Sequence, residues 1–320
     1  MSVPFHLTQL PSGVEIAQLS GPVLLGYLLN WCLFGTLSLQ LYLYYQAFPQ
    51  DVLWNRCLVY TVYAIEFVQT MLMTNDAFST FAYGFGDLSA LTSLRLEWFA
   101  LPILTGLVAF IVQSFYAYRV YILSESWKAP LFIILIALVS SAGAFVHGGV
   151  TGHEDRTSDL WSSGEIYASA AVWLFGSALS DLVSATCLTY YLYKSDIGFR
   201  STSVWLHNLM CLTIETGSLT ALMALVHLTL FFAFPSEPYF FTAAAIQPKL
   251  YANTILAVLN SRLKIVGGRG STFTAGTEVI TNGQSGSRGL GRSSILPTHM
   301  GREREVFSAQ ELNDLVKRAP

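Results

Sequence analysis

The chain has 320 residues, 53% of them hydrophobic and only 12% charged. A soluble domain carries about twice that share of charge, which argues against a water-solvated enzyme. The formal net charge is -3 and no nucleic-acid partner is expected; the expected partners are the lipid bilayer and an unidentified ligand or cytoplasmic protein.

Residues 1–21 read as a short outer segment with no Lys or Arg. The basic start of a cleavable signal peptide is therefore missing, and the first apolar stretch is expected to remain as an anchor. Seven long apolar stretches follow, near residues 22–46, 57–75, 98–123, 130–150, 166–193, 205–234 and 241–262. About 20 mainly apolar residues cross a bilayer as a helix, which satisfies its own backbone hydrogen bonds there. Several of the stretches exceed the roughly 10–14 residues of a buried core helix. The predicted fold class is all-α: a polytopic bundle of seven transmembrane helices over residues 22–262, followed by a disordered tail, 263–320.

The distribution of basic residues orients the bundle. Arg56, Arg119, Lys128, Lys194, Arg200, Arg262, Lys264 and Arg269 fall on one side, and only Arg95 and Arg156 on the other. Cytoplasmic loops carry the excess of Lys and Arg, so the amino terminus is expected outside and the carboxyl terminus in the cytosol. Whether the membrane is the plasma membrane or another of the secretory pathway is not legible. All four cysteines lie within or at the ends of spans, and no Asn-x-Ser/Thr sequon occurs; neither an external disulfide nor N-glycosylation is expected.

Along the spans, three acids and one lysine fall inside the expected hydrocarbon: Glu66 in span two, Asp181 in span five, Glu215 in span six and Lys249 in span seven. Charges in hydrocarbon are costly and need partners, so they mark candidate sites. Span two places Tyr63, Glu66 and Thr70 on one face. Residues 76–97 form a long loop whose aromatics, Phe78, Phe81, Tyr83 and Phe85, suit the outer mouth of the bundle or the lipid interface. Span three aligns Pro102, Gly106, Ala109, Gln113 and Tyr116. Small residues recur every four positions in span five (Gly176, Ser180, Ser184) and span six (Thr213, Gly217, Ala221), a spacing that lets helices approach closely. Span seven carries a polar stripe of Thr242, Lys249, Asn253 and Asn260, which at about 100° per residue shares one face and should point inward. A Lys249–Glu66 pair across spans seven and two is the preferred charge closure, and the candidate polar site comprises Glu66, Lys249, Asn253, Gln113, Asp181 and Glu215.

The tail turns abruptly to Gly, Ser, Thr and Arg, which bury too little apolar surface to offset ordering entropy. Disorder is expected to about Glu305. Ser308 and Glu311 then form a capping box, with Phe307 placed to staple on Leu312, and a short helix over 309–318 is expected.

No catalytic, cofactor-binding or metal site is expected. His147, His227 and His153 match no zinc spacing, and no phosphate loop, nucleophile elbow or dinucleotide fingerprint occurs. Lys249 stands where a retinal-binding opsin carries its lysine, yet span three contains no carboxylate and Pro248 precedes the lysine.

Five strings in order, GPVLLGYLLNWCLFGTLSLQLYLYY, YGFGD, IVQSFYAYRVYILS, LTIETGSLTAL and KLYANTILAVLNSR, resemble a family of fungal, mainly basidiomycete, seven-span membrane proteins classed as a domain of unknown function. The resemblance covers about 21–262. It implies topology and membrane location, and no catalytic residues. The expected function is receptor-like or sensory, on topology, short loops and an inner tail. The alternatives are a small-solute or ion transporter using Glu66, Lys249 and Glu215, and a membrane scaffold.

Overall fold

The computed structural model describes residues 16–91, 93, 95–153, 164–198, 204–234 and 238–262. The tail, with its expected disorder and its helix over 309–318, lies outside these residues, as do positions 1–15. Every regular element among the described residues is helical: α1 (Ile16–Ala47), α2 (Leu53–Phe78), the short α3 (Leu88–Leu91), α4 (Leu104–Ser124), α5 (Lys128–Thr151), α6 (Gly164–Gly198), α7 (Val204–Ala233) and α8 (Tyr239–Asn260). Two wide π-helical turns, Ser79–Tyr83 and Phe99–Ile103, extend α2 and lead into α4.

Among the described residues, six helical stretches are long and apolar enough to cross a membrane: Ile16–Ala47, Leu53–Tyr83, Phe99–Ser124, Lys128–Thr151, Gly164–Lys194 and Glu215–Ala233. Their outward surface is greasy. On α5 alone, Leu131, Phe132, Leu135, Leu138 and Val139 are exposed. Water would penalise such a surface, whereas hydrocarbon does not. The chain is an integral membrane protein by this measure. The seventh long helix, α8, has 22 residues, about 33 Å at 1.5 Å per residue. It lacks the sustained apolar stretch of the other six because Gln247, Lys249, Asn253 and Asn260 interrupt it. It can afford them because it is the most enclosed helix, packed against α1, α2, α4 and α7.

Two boundaries differ from the sequence reading. The first helix starts at Ile16, so Pro22 lies inside it. The second continues through Tyr83 and takes up the start of the 76–97 loop. The reason is aromatic packing: Phe81 lies edge-on to Tyr27 at 6.3 Å between centroids and joins the apolar cluster of Val23, Met73, Leu101 and Phe241. Tyr83 and Phe85 are exposed.

α1 and α8 run parallel. Thr242 Oγ1 donates to the Pro22 carbonyl (2.6 Å), Asn253 Nδ2 to that of Leu33 (3.1 Å) and Asn260 Nδ2 to that of Gln40 (2.8 Å), each across 220 residues. Three members of the polar stripe thus hold α8 on the backbone of α1. Gly26 makes the approach possible, since a Cβ there would meet the Phe241 ring at 2.9 Å. The span-five seam also packs helices: a Cβ on Gly176 would lie 2.8 Å from Ser140 Cβ of α5.

Below this level, towards the end predicted to be cytoplasmic, Leu37, Val59, Val62, Val112, Ile255 and Leu256 belong to one apolar core. That end is closed by an ion pair. Asp51, between α1 and α2, accepts from Arg262 Nη1 (3.2 Å) and Nη2 (2.5 Å) and from Tyr44 (2.8 Å). The Arg262 guanidinium covers the Phe48 ring at 4.4 Å.

Candidate functional site

α8 carries polar side chains on two opposite faces, because residues 247 and 251 are one turn apart while 249 lies about 200° from 247. On the face towards α2, Lys249 Nζ reaches Glu66 Oε2 in a fully buried salt bridge. It also reaches the Glu66 carbonyl (3.3 Å) and Gln69 Oε1 (2.9 Å). An ammonium has three N–H donors, so the lysine is saturated by protein. Gln69 in turn donates to the Ala100 carbonyl (2.7 Å), beside the wide turn that contains Pro102. Glu66 and Lys249 therefore form the pair that the sequence suggested. Asn253, also in the candidate set, bonds to the Leu33 and Lys249 carbonyls instead (3.1 and 2.7 Å).

The face towards α6 and α7 carries a different arrangement. Asp181 accepts from Tyr251 OH at Oδ2 (2.6 Å) and from Gln113 Nε2 at Oδ1. Ser184 donates to Gln113 Oε1 (2.6 Å). Gln247 Nε2 donates to Tyr251 OH (3.1 Å) and Ser177 Oγ (3.2 Å). Its carbonyl oxygen faces His227 Nδ1 at 2.6 Å. An amide oxygen only accepts, so His227 carries its proton on Nδ1. The donors then run in one direction, His227 to Gln247 to Tyr251 to Asp181, an order in which each bond polarises the next.

His227 is also in the wall of a cavity of about 70 Å³ at the predicted outer end. Glu97, Trp98, His147, Thr151, Trp173, Phe231, Phe240 and Phe241 are among its other lining residues. The Trp173 ring lies between the two histidines, 5.6 Å from His147 and 5.7 Å from His227 between centroids. Ser169 spends its hydroxyl proton on the Ile166 carbonyl (2.9 Å), so its Oγ accepts from His147 Nδ1 at 3.2 Å. Both neutral rings are thereby fixed in the same tautomer, with Nε2 left as an acceptor. Glu97 accepts from Tyr27 OH (3.3 Å). Burial pushes its carboxyl up to about 8, helped by the charge of Asp76 and opposed by the Tyr27 hydrogen bond. Among the described residues, no group of three His, Cys, Asp or Glu could hold a metal.

The structure brings Gln113 and Asp181 together, and Glu66 and Lys249 together, but as two clusters on either side of α8. Glu215 joins neither; it is exposed on α7. It stands away from the buried groups because the inward positions of this stretch of α7 belong to Gly217, Thr220 and Ala221. Sequence reasoning did not single out Gln247, Tyr251, Ser177, Trp173 or Glu97. Gln247 and Tyr251 share a helical face, a signal present in the sequence. Glu97 lies in a loop, where helical phase carries no information.

The model of a family described as "Family of unknown function (DUF6534)" matches residues 177–264, under a third of the chain. The matched stretch opens within α6 and runs through α7 and α8. It contains Ser177, Asp181, His227, Gln247, Lys249 and Tyr251, while Glu66, Glu97, Gln113 and His147 lie outside it. Two of the five strings quoted above fall within it. No curated protein and no solved structure matches.

Proposed function

We propose that this chain is a seven-span membrane receptor or sensor, akin to the fungal seven-span proteins that its strings resemble, with its amino terminus outside and its carboxyl terminus in the cytosol. The observation that carries this reading is the directional hydrogen-bond chain from His227, in the wall of the outer cavity, to Asp181 deep between α4, α6 and α8. A ligand that alters the His227 ring alters the bonding of Gln247 and Tyr251, and with it the contact between α8 and α6. That is a physical route from a binding event to a helix rearrangement.

Two features favour sensing over transport. The chain runs through the Gln247 amide, which passes a hydrogen bond but does not readily pass a proton. The described inner half of the bundle is filled by apolar side chains, so the polar groups do not line a wet path between both faces. The test uses purified protein in lipid nanodiscs with an environment-sensitive fluorophore on Cys57, which is exposed near the predicted inner start of α2. Ligands of the outer cavity should change its emission, and Tyr251→Phe should abolish the change without abolishing binding. Protein-dependent flux of protons or alkali cations in sealed vesicles would instead establish transport and sink the receptor reading.

A further inference from the structure

The outer cavity has a definite chemical character. Five aromatic rings, Trp98, Trp173, Phe231, Phe240 and Phe241, contribute to its wall. Apart from the two indoles, its polar side chains present acceptors: the Glu97 carboxyl and the Nε2 atoms of His147 and His227, by the tautomers derived above. The Thr151 hydroxyl is already spent on the His147 carbonyl at 2.7 Å. Glu97 is the acid of the site, and among the described residues neither Lys nor Arg lines it. An apolar box with an acid and several bare acceptors is complementary to a ligand that brings N–H donors and a positive charge. Aromatic faces attract cations as well, and an ammonium–carboxylate hydrogen bond is among the strong ones.

Size narrows the class. The cavity holds about 70 Å³, about half the roughly 150 Å³ of a protein cavity that admits benzene. We propose that this half-open cavity takes the head of a small primary alkylammonium of about four or five carbons, its N–H donors on Glu97 and the two histidine Nε2 atoms and about three of its non-hydrogen atoms among the aromatic rings, with the rest of the alkyl chain reaching out of the mouth. The assignment rests on the reading of this cavity as the sensing site and gives that site its ligand class.

The experiment titrates full-length protein in nanodiscs with isobutylamine hydrochloride, isobutanol and tetramethylammonium chloride, followed by tryptophan fluorescence and calorimetry above pH 8. Isobutanol has the same shape without the charge; tetramethylammonium has the charge without N–H donors. The amine is expected to bind at least tenfold tighter than either. Glu97→Gln should remove at least tenfold of that affinity and leave isobutanol unchanged, and Glu97→Asp should keep part of the preference. Equal binding of amine and isobutanol, insensitive to Glu97→Gln, would make this a neutral apolar cavity and overturn the proposal. Equal binding of tetramethylammonium would overturn the role of the acceptors. Absence of amine binding in protein that melts cooperatively also overturns it. The fluorophore on Cys57 separates the two readings: amine binding without an emission change sinks the receptor alone, and an emission change that isobutanol evokes as strongly as the amine sinks the amine assignment alone.

Discussion

The two faces of α8 treat buried polarity in opposite ways. Towards α2, Lys249 spends all three N–H donors on Glu66 and Gln69, so the cation on that side is closed off by the protein itself. Towards α6 and α7, Asp181 carries no ionic partner in its contacts and is reached through a chain that ends in a cavity wall. The same contrast recurs at the two ends. Asp51 is locked by Arg262, while Glu97 accepts a long hydrogen bond from Tyr27 and, among the described residues, has no ion-pair partner. Closed pairs hold the α1–α2–α8 side together; open acids sit where a signal could enter.

The sharpest way to break this contrast is at the closed pair. Lys249→Met strands the Glu66 carboxylate in hydrocarbon and should cost about 3–5 kcal/mol, the usual loss when one partner of a buried pair is removed. Glu66→Gln combined with Lys249→Met should cost less than the two single losses together. A double-mutant cycle on purified protein measures this, and strictly additive losses would reject the pair as a coupled unit.

The inner lock comes next. Burial raises the Asp51 carboxyl, but hydrogen bonds from Arg262 and Tyr44 and the Arg262 charge outweigh it and hold the group below its usual range. An acid whose folded pKa is depressed stabilises the fold above its unfolded pKa of about 3.9, and that contribution is lost as pH falls through the folded value. Asp51→Asn should cost about 1.5–3 kcal/mol near neutrality and flatten the acid limb of the melting curve. An unchanged acid limb would show that other carboxylates govern it.

On the open face, Tyr251→Phe removes the donor to Asp181 and the acceptor of Gln247. It should cost about 1–3 kcal/mol, the penalty for leaving buried polar atoms unpaired, and should uncouple the cavity from Asp181. Stability lost without any change in the Cys57 signal would put the chain among purely structural networks.

Much of this was legible in sequence, for identifiable reasons. Hydropathy placed the seven long helices of the described residues, six of them long and apolar enough to cross a membrane, because membrane helices need about 20 apolar residues whatever their neighbours do. Charge balance found Glu66 and Lys249, since an intramembrane cation demands an anion and few were on offer. Helical phase aligned Thr242, Asn253 and Asn260 but did not reveal that their partners are α1 carbonyls, which carry no signature in side-chain identity. Gln247 and Tyr251 look like ordinary polar residues until α6 and α7 are brought beside them. The cavity was the least legible feature. It depends on ring orientations from five elements and on Glu97, a loop residue with no periodic context.

The smallest effect is expected at Glu97, which is only half-buried, so solvent screens part of its charge. Its sign is opposite to that of Asp51. Burial and Asp76 raise its carboxyl to about 8, whereas the unfolded chain loses that proton near the ordinary glutamate value of about 4.3. Between those two values the folded state binds more protons than the unfolded one, so stability falls as pH rises and levels off above the folded pKa. Tyr27 from α1, Asp76 from α2, and His147 and His227 from α5 and α7 are the titratable groups around it or in the same cavity wall. Among the described residues, neither Lys nor Arg lines that wall to offset the charge. Glu97→Gln should therefore remove part of the decline in melting temperature between about pH 5 and pH 8 while leaving the acid limb governed by Asp51 untouched. Saturating isobutylamine should have the same flattening effect on the wild-type protein, because a bound ammonium supplies a countercharge that favours the ionised Glu97 carboxylate in the folded state. A decline that persists unchanged in Glu97→Gln would assign it to another group and erase the distinction between the open outer acid and the locked inner one.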